Sequence, residues 1–236
     1  KPGLTISRWY DAVLEKPELI DQESNLRGMF YWGHAPNSQS RGLDLKRGMD
    51  KLDLLVVVDP FPSATAAMAA MPGKPEDLNP KRAVYLLPAC TQFETSGSVT
   101  ASNRSIQWRE KVMEPLFESR SDHMIMYQLA QKLGFAEHLV KNYKMQKVHG
   151  MDEPMPEEIL REINRSVWTI GYTGQSPERL KAHMRNMNVF DVKTLRARGG
   201  PCDGDYFGLP WPCYGTPELK HPGSPNLYNT SLHVMD

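Results

Sequence analysis

The first half of the chain sets short apolar runs between polar stretches punctuated by proline and glycine. Residues 28–32 (GMFYW) are apolar and aromatic and stop at Gly33 and the AlaProAsn of 35–37, a pattern that predicts a strand and then a loop. From Ser40 to Lys51 the apolar positions Leu43, Leu45 and Met49, followed by Leu52, recur at a loosely helical period among charged residues, as in an amphipathic helix. LDLLVVVDP (52–60) is a continuous β-branched run stopped by Asp59-Pro60; a run so apolar on successive residues needs cover on both faces, as in a parallel sheet. SATAAMAAM (63–71) predicts a short helix with Ser63 or Thr65 near its N-cap, ended by MetProGly (71–73), and AVYLLP (83–88) a third strand. Strand, helix, strand, helix, strand implies parallel pairing through right-handed crossovers. The expected class is α/β, a doubly wound, mostly parallel sheet with flanking helices.

Beyond residue 118 the spacing turns helical. Residues 121–135 carry Met124, Met126, Leu129, Leu133 and Phe135 on one stripe, with Ser121 as N-cap and Gly134 near the end. Residues 156–168 open with Pro156 and two carboxylates, and 177–187 with Ser176 as N-cap, Pro177 in the first position and Glu178 in the first turn. From Gly199 onward prolines and glycines are too dense for helix or central strand, while Tyr206, Phe207, Trp211 and Tyr214 are too apolar for a free linker. Three parts follow: an α/β domain over 1–118, a helical extension over 119–198, and an extended Pro/Gly-rich arm over 199–236 that packs on another surface.

Composition removes several function classes. The 28 basic and 28 acidic residues balance, so neither nucleic acid nor an anionic membrane is indicated as a general partner. No apolar run approaches the roughly 18–20 residues that span a bilayer, so no direct membrane insertion is expected. Cys90, Cys202 and Cys213 show no C-x-x-C spacing; free thiols are the default, with a Cys202–Cys213 disulfide left open. The opening KPGLT has no initiator Met and no signal-peptide pattern, so a piece of a longer protein is expected. No G-x-G-x-x-G follows the first strand, and G-x-x-x-x-G-K-[ST], G-x-S-x-G, H-E-x-x-H and H-x-x-x-H are absent. No self-sufficient catalytic site is evident.

In a parallel sheet the loops after the strands line the ligand crevice. Three qualify: GHAPNSQS (33–40), DPFPSAT (59–65) and PACTQFETSGSVTASNRS (88–105). All are rich in hydroxyl, amide or backbone donors, which suits a ligand with many heteroatoms such as a nucleotide. Asp59 offers an acceptor for ribose or guanine N–H groups, Arg104 a planar fork for phosphate or carbonyl oxygens, and Gly97 room for close backbone approach. Among seven scattered histidines, only His34 stands in a strand-end loop.

GMFYWGHAPNSQS, LLVVVDPFPSATAAMAA and YLLPACTQFETSGSVTASNRSIQW together resemble the cofactor-binding middle domain of the molybdopterin oxidoreductases. The later segments GYTGQSPERLKAHM and GGPCDGDYFGLPWPCYGTPELKHPGSPNLY resemble, more narrowly, the catalytic subunit of metal-dependent formate dehydrogenases. The resemblance implies an enzyme holding tungsten or molybdenum between two molybdopterin guanine dinucleotides, one of them gripped by these loops. Gly33, His34, Pro36 and Asn37 match the first loop of the family pattern. Asp59, Phe61 and Thr65 match its second, and Glu94, Gly97, Ser98, Arg104 and Gln107 its third. Ala101 departs from the pattern, which has Asn there.

The metal ligand, its neighbouring histidine and the iron–sulfur cysteines of the family have no counterpart here, so this segment is expected to hold no catalytic or metal-binding residue and to be inactive alone. Implied partners are the remainder of the catalytic subunit, an iron–sulfur electron-transfer subunit, and formate or carbon dioxide as substrate. The expected location is cytoplasmic, with periplasmic attachment to a membrane-bound complex as the alternative. A nitrate-reductase-like sister enzyme and a non-catalytic nucleotide-binding module are the competing readings.

Overall fold

The computed structural model describes residues 4–34, 36–71, 73–76, 78–102, 105–166 and 176–208. Arg104 and the arm beyond Gly208 lie outside the described residues. The chain divides into two compact units: Lys1–Thr91 with Pro115–Arg120, and Gln92–Glu114 with Ser121–Asp236.

The first unit is built on three parallel strands in the order β1-β2-β3: β1 (Gly28–Trp32), β2 (Leu54–Asp59) and β3 (Ala83–Pro88). Their register pairs Trp32 with Val58 and Asp59 with Pro88, so the three carboxyl ends form one row. Between the strands run α2 (Gly42–Lys51) and α3 (Ala64–Ala70), with α1 (Asp11–Leu14) preceding them. Right-handed crossovers advancing in one direction put their helices on one face. Leu45, Met49, Ala66 and Ala69 accordingly share a core with Tyr31, Leu55 and Val57, closed by Trp9 and Tyr10. Leu55, Val56, Val57 and Val58 of the central strand are all buried, as the β-branched run requires. Each such side chain contributes about 1.5–3 kcal/mol relative to full exposure.

The second unit combines small hairpins and helices. β4 (Gly97–Thr100) pairs antiparallel with β5 (Ile106–Arg109), so the latter part of the third polar stretch holds a paired strand where sequence suggested only loop. Its Ile106 and Trp108 form a small core with Leu160 of α6 (Pro156–Ser166) and Leu180 of α7 (Pro177–Arg185). A second hairpin joins β6 (Met145–Val148) to β7 (Met151–Pro154). α4 (Asp122–Leu133) has the expected ends: the Ser121 hydroxyl accepts from the Met124 N–H, and Gly134 takes the left-handed conformation. Ser176 caps α7 by accepting from the Arg179 N–H, with Pro177 next. The short α5 (Ala136–Leu139) follows α4. Cys90 and Cys202 are buried and form no disulfide among the described residues.

Candidate functional site

The carboxyl rim of the parallel sheet carries the first two loops. At the end of β1, Gly33 donates its N–H to the Val58 carbonyl at 3.0 Å and turns the chain at φ +57°. Open space lies where a Cβ would stand, so it is the left-handed backbone that favours glycine here, not crowding. His34 follows, half-buried, with its ring stacked parallel to Tyr31 (centroids 5.8 Å apart, interplanar angle 2°). Its carbonyl accepts from the Thr65 hydroxyl at 2.6 Å, and its Nε2 lies 2.6 Å from the Gln39 amide nitrogen. Pro36 is buried and opens a 3-10 turn over Pro36–Ser38 that contains Asn37, whose side chain lies outside the described residues.

At the end of β2, Asp59 organises the second loop. Its Oδ1 accepts from the Phe61 N–H at 3.0 Å and its Oδ2 from the Ser63 hydroxyl at 2.9 Å. Ser63 occupies the N-cap position of α3 but makes no side-chain cap bond, since its hydroxyl turns back to Asp59. Each carboxylate oxygen retains a further lone pair for a ligand. Phe61 stands out from the rim, 68% exposed. Thr65, in contrast, is buried, with its hydroxyl hydrogen committed to the His34 carbonyl. A shallow depression of about 170 Å³, lined by Asp59, Phe61, Pro62, Ala66, Leu86 and Pro88, opens beside Phe61. Drug-sized pockets hold roughly 300–1,000 Å³, so this one has room for a ring and not for a dinucleotide.

Gly33, His34, Pro36, Asp59, Phe61 and Thr65 are thus gathered on one rim of the first unit. Glu94, Gly97, Ser98 and Gln107 lie in the second unit, around the β4–β5 hairpin. Glu94 is buried. Gln107 pairs with Val99 and Ser98 with Trp108, so the Gln107 and Ser98 side chains leave opposite faces of the ribbon. A ligand meeting the Gln107 amide would therefore meet the backbone, not the hydroxyl, of Ser98. Arg104 lies outside the described residues. Gln39 and Tyr31, which hold the His34 ring, had no individual signal in the sequence. Gln39 reads as one more polar loop residue, and Tyr31 as strand core.

The molybdopterin oxidoreductase family model matches residues 12–132, slightly more than half of the chain. The chain belongs to the molybdopterin oxidoreductase family. Relatives include the formate dehydrogenase 2 subunit alpha (cytochrome c-553) of Nitratidesulfovibrio vulgaris, 32% identical over 150 residues, or 61% of this chain and 14% of that protein. The F420-dependent formate dehydrogenase subunit alpha of Methanocaldococcus jannaschii is 28% identical over 173 residues, 72% of this chain and 22% of that protein. The trimethylamine-N-oxide reductase of Vibrio cholerae is 26% identical over 147 residues, 56% of this chain and 16% of that protein. The chain spans between about one seventh and one fifth of these curated relatives.

The rim fits the nucleotide part of a molybdopterin oxidoreductase cofactor in kind. It offers the exposed Phe61 ring, the Asp59 carboxylate, open space over Gly33, and the Gln39 Oε1, a buried acceptor without a partner among the described residues. Among the described residues no group of three His, Cys, Asp or Glu side chains could hold a metal ion. No helix of the described residues is long and apolar enough to cross a membrane.

Proposed function

We infer that this chain is a segment of the catalytic subunit of a metal-dependent formate dehydrogenase and that its sheet rim binds one molybdopterin guanine dinucleotide. The observation that carries this reading is the joining of the first two strand-end loops into one rim by the Thr65–His34 hydrogen bond. Two formate dehydrogenase alpha subunits among the relatives, together with the GGPCDGDYFGLPWPC stretch, support formate as substrate.

In this reading the parent enzyme interconverts formate and carbon dioxide and passes two electrons to iron–sulfur centres. The bound metal and pterins supply the redox chemistry. The chain's own residues bind and orient. Phe61 offers its ring face to the base, and Asp59 accepts from base or ribose donors. Thr65 holds the His34 backbone against α3. Glu94, Gly97, Ser98, Arg104 and Gln107 are the further cofactor contacts of this reading. The partners are the remainder of the catalytic subunit and an iron–sulfur electron-transfer subunit, and the location is cytoplasmic, a periplasmic complex being the alternative.

Intact mass of the native protein, with metal analysis and chromatography of acid-released nucleotide, tests the reading. A polypeptide several times heavier with about two GMP equivalents per tungsten or molybdenum supports it; a chain of this length without metal or GMP rejects it. The similarity to a trimethylamine-N-oxide reductase keeps a sister activity as second reading. Assays with formate and with an N-oxide separate the two.

A further inference from the structure

The His34 ring is held more closely than a loop histidine needs to be. Its backbone carbonyl is fixed by Thr65 at 2.6 Å, and its ring lies parallel to Tyr31, a fully buried residue itself wedged edge-on by Trp9 at 6.0 Å. The third restraint is chemical: the Gln39 amide nitrogen lies 2.6 Å from the ring Nε2. An amide nitrogen has hydrogens to give and no lone pair to offer. With the amide nitrogen placed so, Nε2 accepts as the unprotonated nitrogen, and the hydrogen of the neutral ring sits on Nδ1. Among the described residues, Nδ1 has no hydrogen-bond partner, and the Gln39 Oε1 is buried without one. A buried acceptor left unpaired in a folded protein is uncommon and asks for a missing partner.

Resting on the nucleotide-binding reading above, we propose that Gln39 is a positioning residue that fixes His34 in the Nδ1–H tautomer, so that the rim offers an N–H donor to an acceptor oxygen of the bound guanine dinucleotide. Without Gln39 the ring hydrogen is free to occupy either nitrogen, and a fraction of molecules presents a lone pair to the ligand oxygen. Tyr31 and Thr65 keep the ring plane and backbone in place whichever tautomer is present. The loss on removing Gln39 is therefore one of proton placement, with the loop fold retained.

Asparagine separates the two roles, because its amide nitrogen can stand where Nδ1–H stands and needs no tautomer to be set. Full-length protein carrying Gln39→Met, His34→Ala, His34→Asn, and Gln39→Met combined with each His34 variant would be purified. GMP equivalents per polypeptide and the rate of GMP-releasable cofactor loss would then be measured. Gln39→Met and His34→Ala are each expected to speed cofactor loss roughly tenfold, His34→Asn to stay within about threefold of the native rate, and Gln39→Met to add nothing in either His34 background. An unchanged rate in Gln39→Met, equal losses in His34→Asn and His34→Ala, or a full Gln39→Met effect on top of His34→Asn would each overturn the assignment while leaving the nucleotide site standing. Native protein that releases no GMP would remove the nucleotide-binding reading itself, and this inference with it.

Discussion

The Nδ1 of His183 accepts the backbone N–H of Gly208 at 3.1 Å. The other ring nitrogen donates to Asp205 at 3.0 Å, and Phe190 and Phe207 pack against the ring. One almost fully buried imidazole on α7 thereby fixes the start of the Pro/Gly-rich arm. Both of its nitrogens are used only while the ring is neutral.

Burial lowers the pKa of His183, against the opposing pull of Asp205. The unfolded chain therefore takes up the proton more readily than the folded one, from an ordinary value of 6.5. The stabilisation is complete above about pH 6.5 and declines as the pH falls below it, until the depressed folded value is reached. Hydrogen exchange of the 205–208 peptide, corrected for intrinsic rate, should lose protection as the pH falls from about 7.5 to 5. His183→Phe should cost about 1–3 kcal/mol, remove the ring acceptor of the Gly208 N–H, and abolish this pH dependence.

Gly208 also meets β5 at close quarters. Its carbonyl accepts from the Ile106 N–H at 3.1 Å, and a Cβ at Gly208 would fall 2.3 Å from the Ile106 oxygen and 2.8 Å from its nitrogen. The obstacle is backbone, which cannot rotate away. Gly134 has a similar left-handed φ of +82° but nothing within 4 Å of the Cβ position. Gly134→Ala should therefore cost about 1 kcal/mol, the backbone penalty alone. Gly208→Ala should cost on the order of 4 kcal/mol or more. Equal losses in chemical denaturation would refute the close approach.

Asp50 should be the least replaceable carboxylate of the first unit. It is 1% exposed, takes the Lys46 ammonium at 2.5 Å and lies 3.7 Å from the Arg82 guanidinium, itself largely buried. Removing one member of a buried ion cluster strands the others, at about 3–5 kcal/mol. Asp44 pairs with Arg41 and Arg47 at the surface, where the loss is about 1 kcal/mol or less. Thermal unfolding of Asp50→Ala beside Asp44→Ala checks the contrast.

Where one physical signal dominates, sequence and structure coincide. The 54–58 run lies at the centre of the sheet because residues apolar on both faces have no other stable place. Ser121 and Ser176 cap the helices that their positions predicted. The β6–β7 hairpin was not legible. MQKV and MDEP carry little β-branching, and the turn is made by His149-Gly150 at φ +49° and +77°, a positive-φ pair usually signalled by Asn-Gly. The hairpin over 97–109 was read as loop because its serines, threonine and glutamine suppress the strand signal. Among the described residues its apolar burial comes from Ile106 and Trp108. The site was legible at the level of strand ends, since parallel register brings them together. The Gln39–His34 contact was not, because it depends on how the intervening 3-10 turn closes.

Phe61 provides the sharpest separation of binding from folding. A phenylalanine 68% exposed contributes little to the core, so Phe61→Ala should leave the unfolding midpoint nearly unchanged. If its ring receives the base in the neighbouring depression, losing the stack should weaken nucleotide retention by about 1–3 kcal/mol, roughly 5- to 150-fold. Phe61→Tyr should restore retention, because the π-face remains. Thr65→Val makes the complementary case. It keeps shape and burial but removes the donor to the His34 carbonyl, so it should destabilise by about 1 kcal/mol and weaken retention less than Phe61→Ala does. Measured together as unfolding midpoint and GMP content of the native protein, the two variants should move along different axes. A Phe61→Ala protein that loses stability but keeps its nucleotide would place the base elsewhere on the rim.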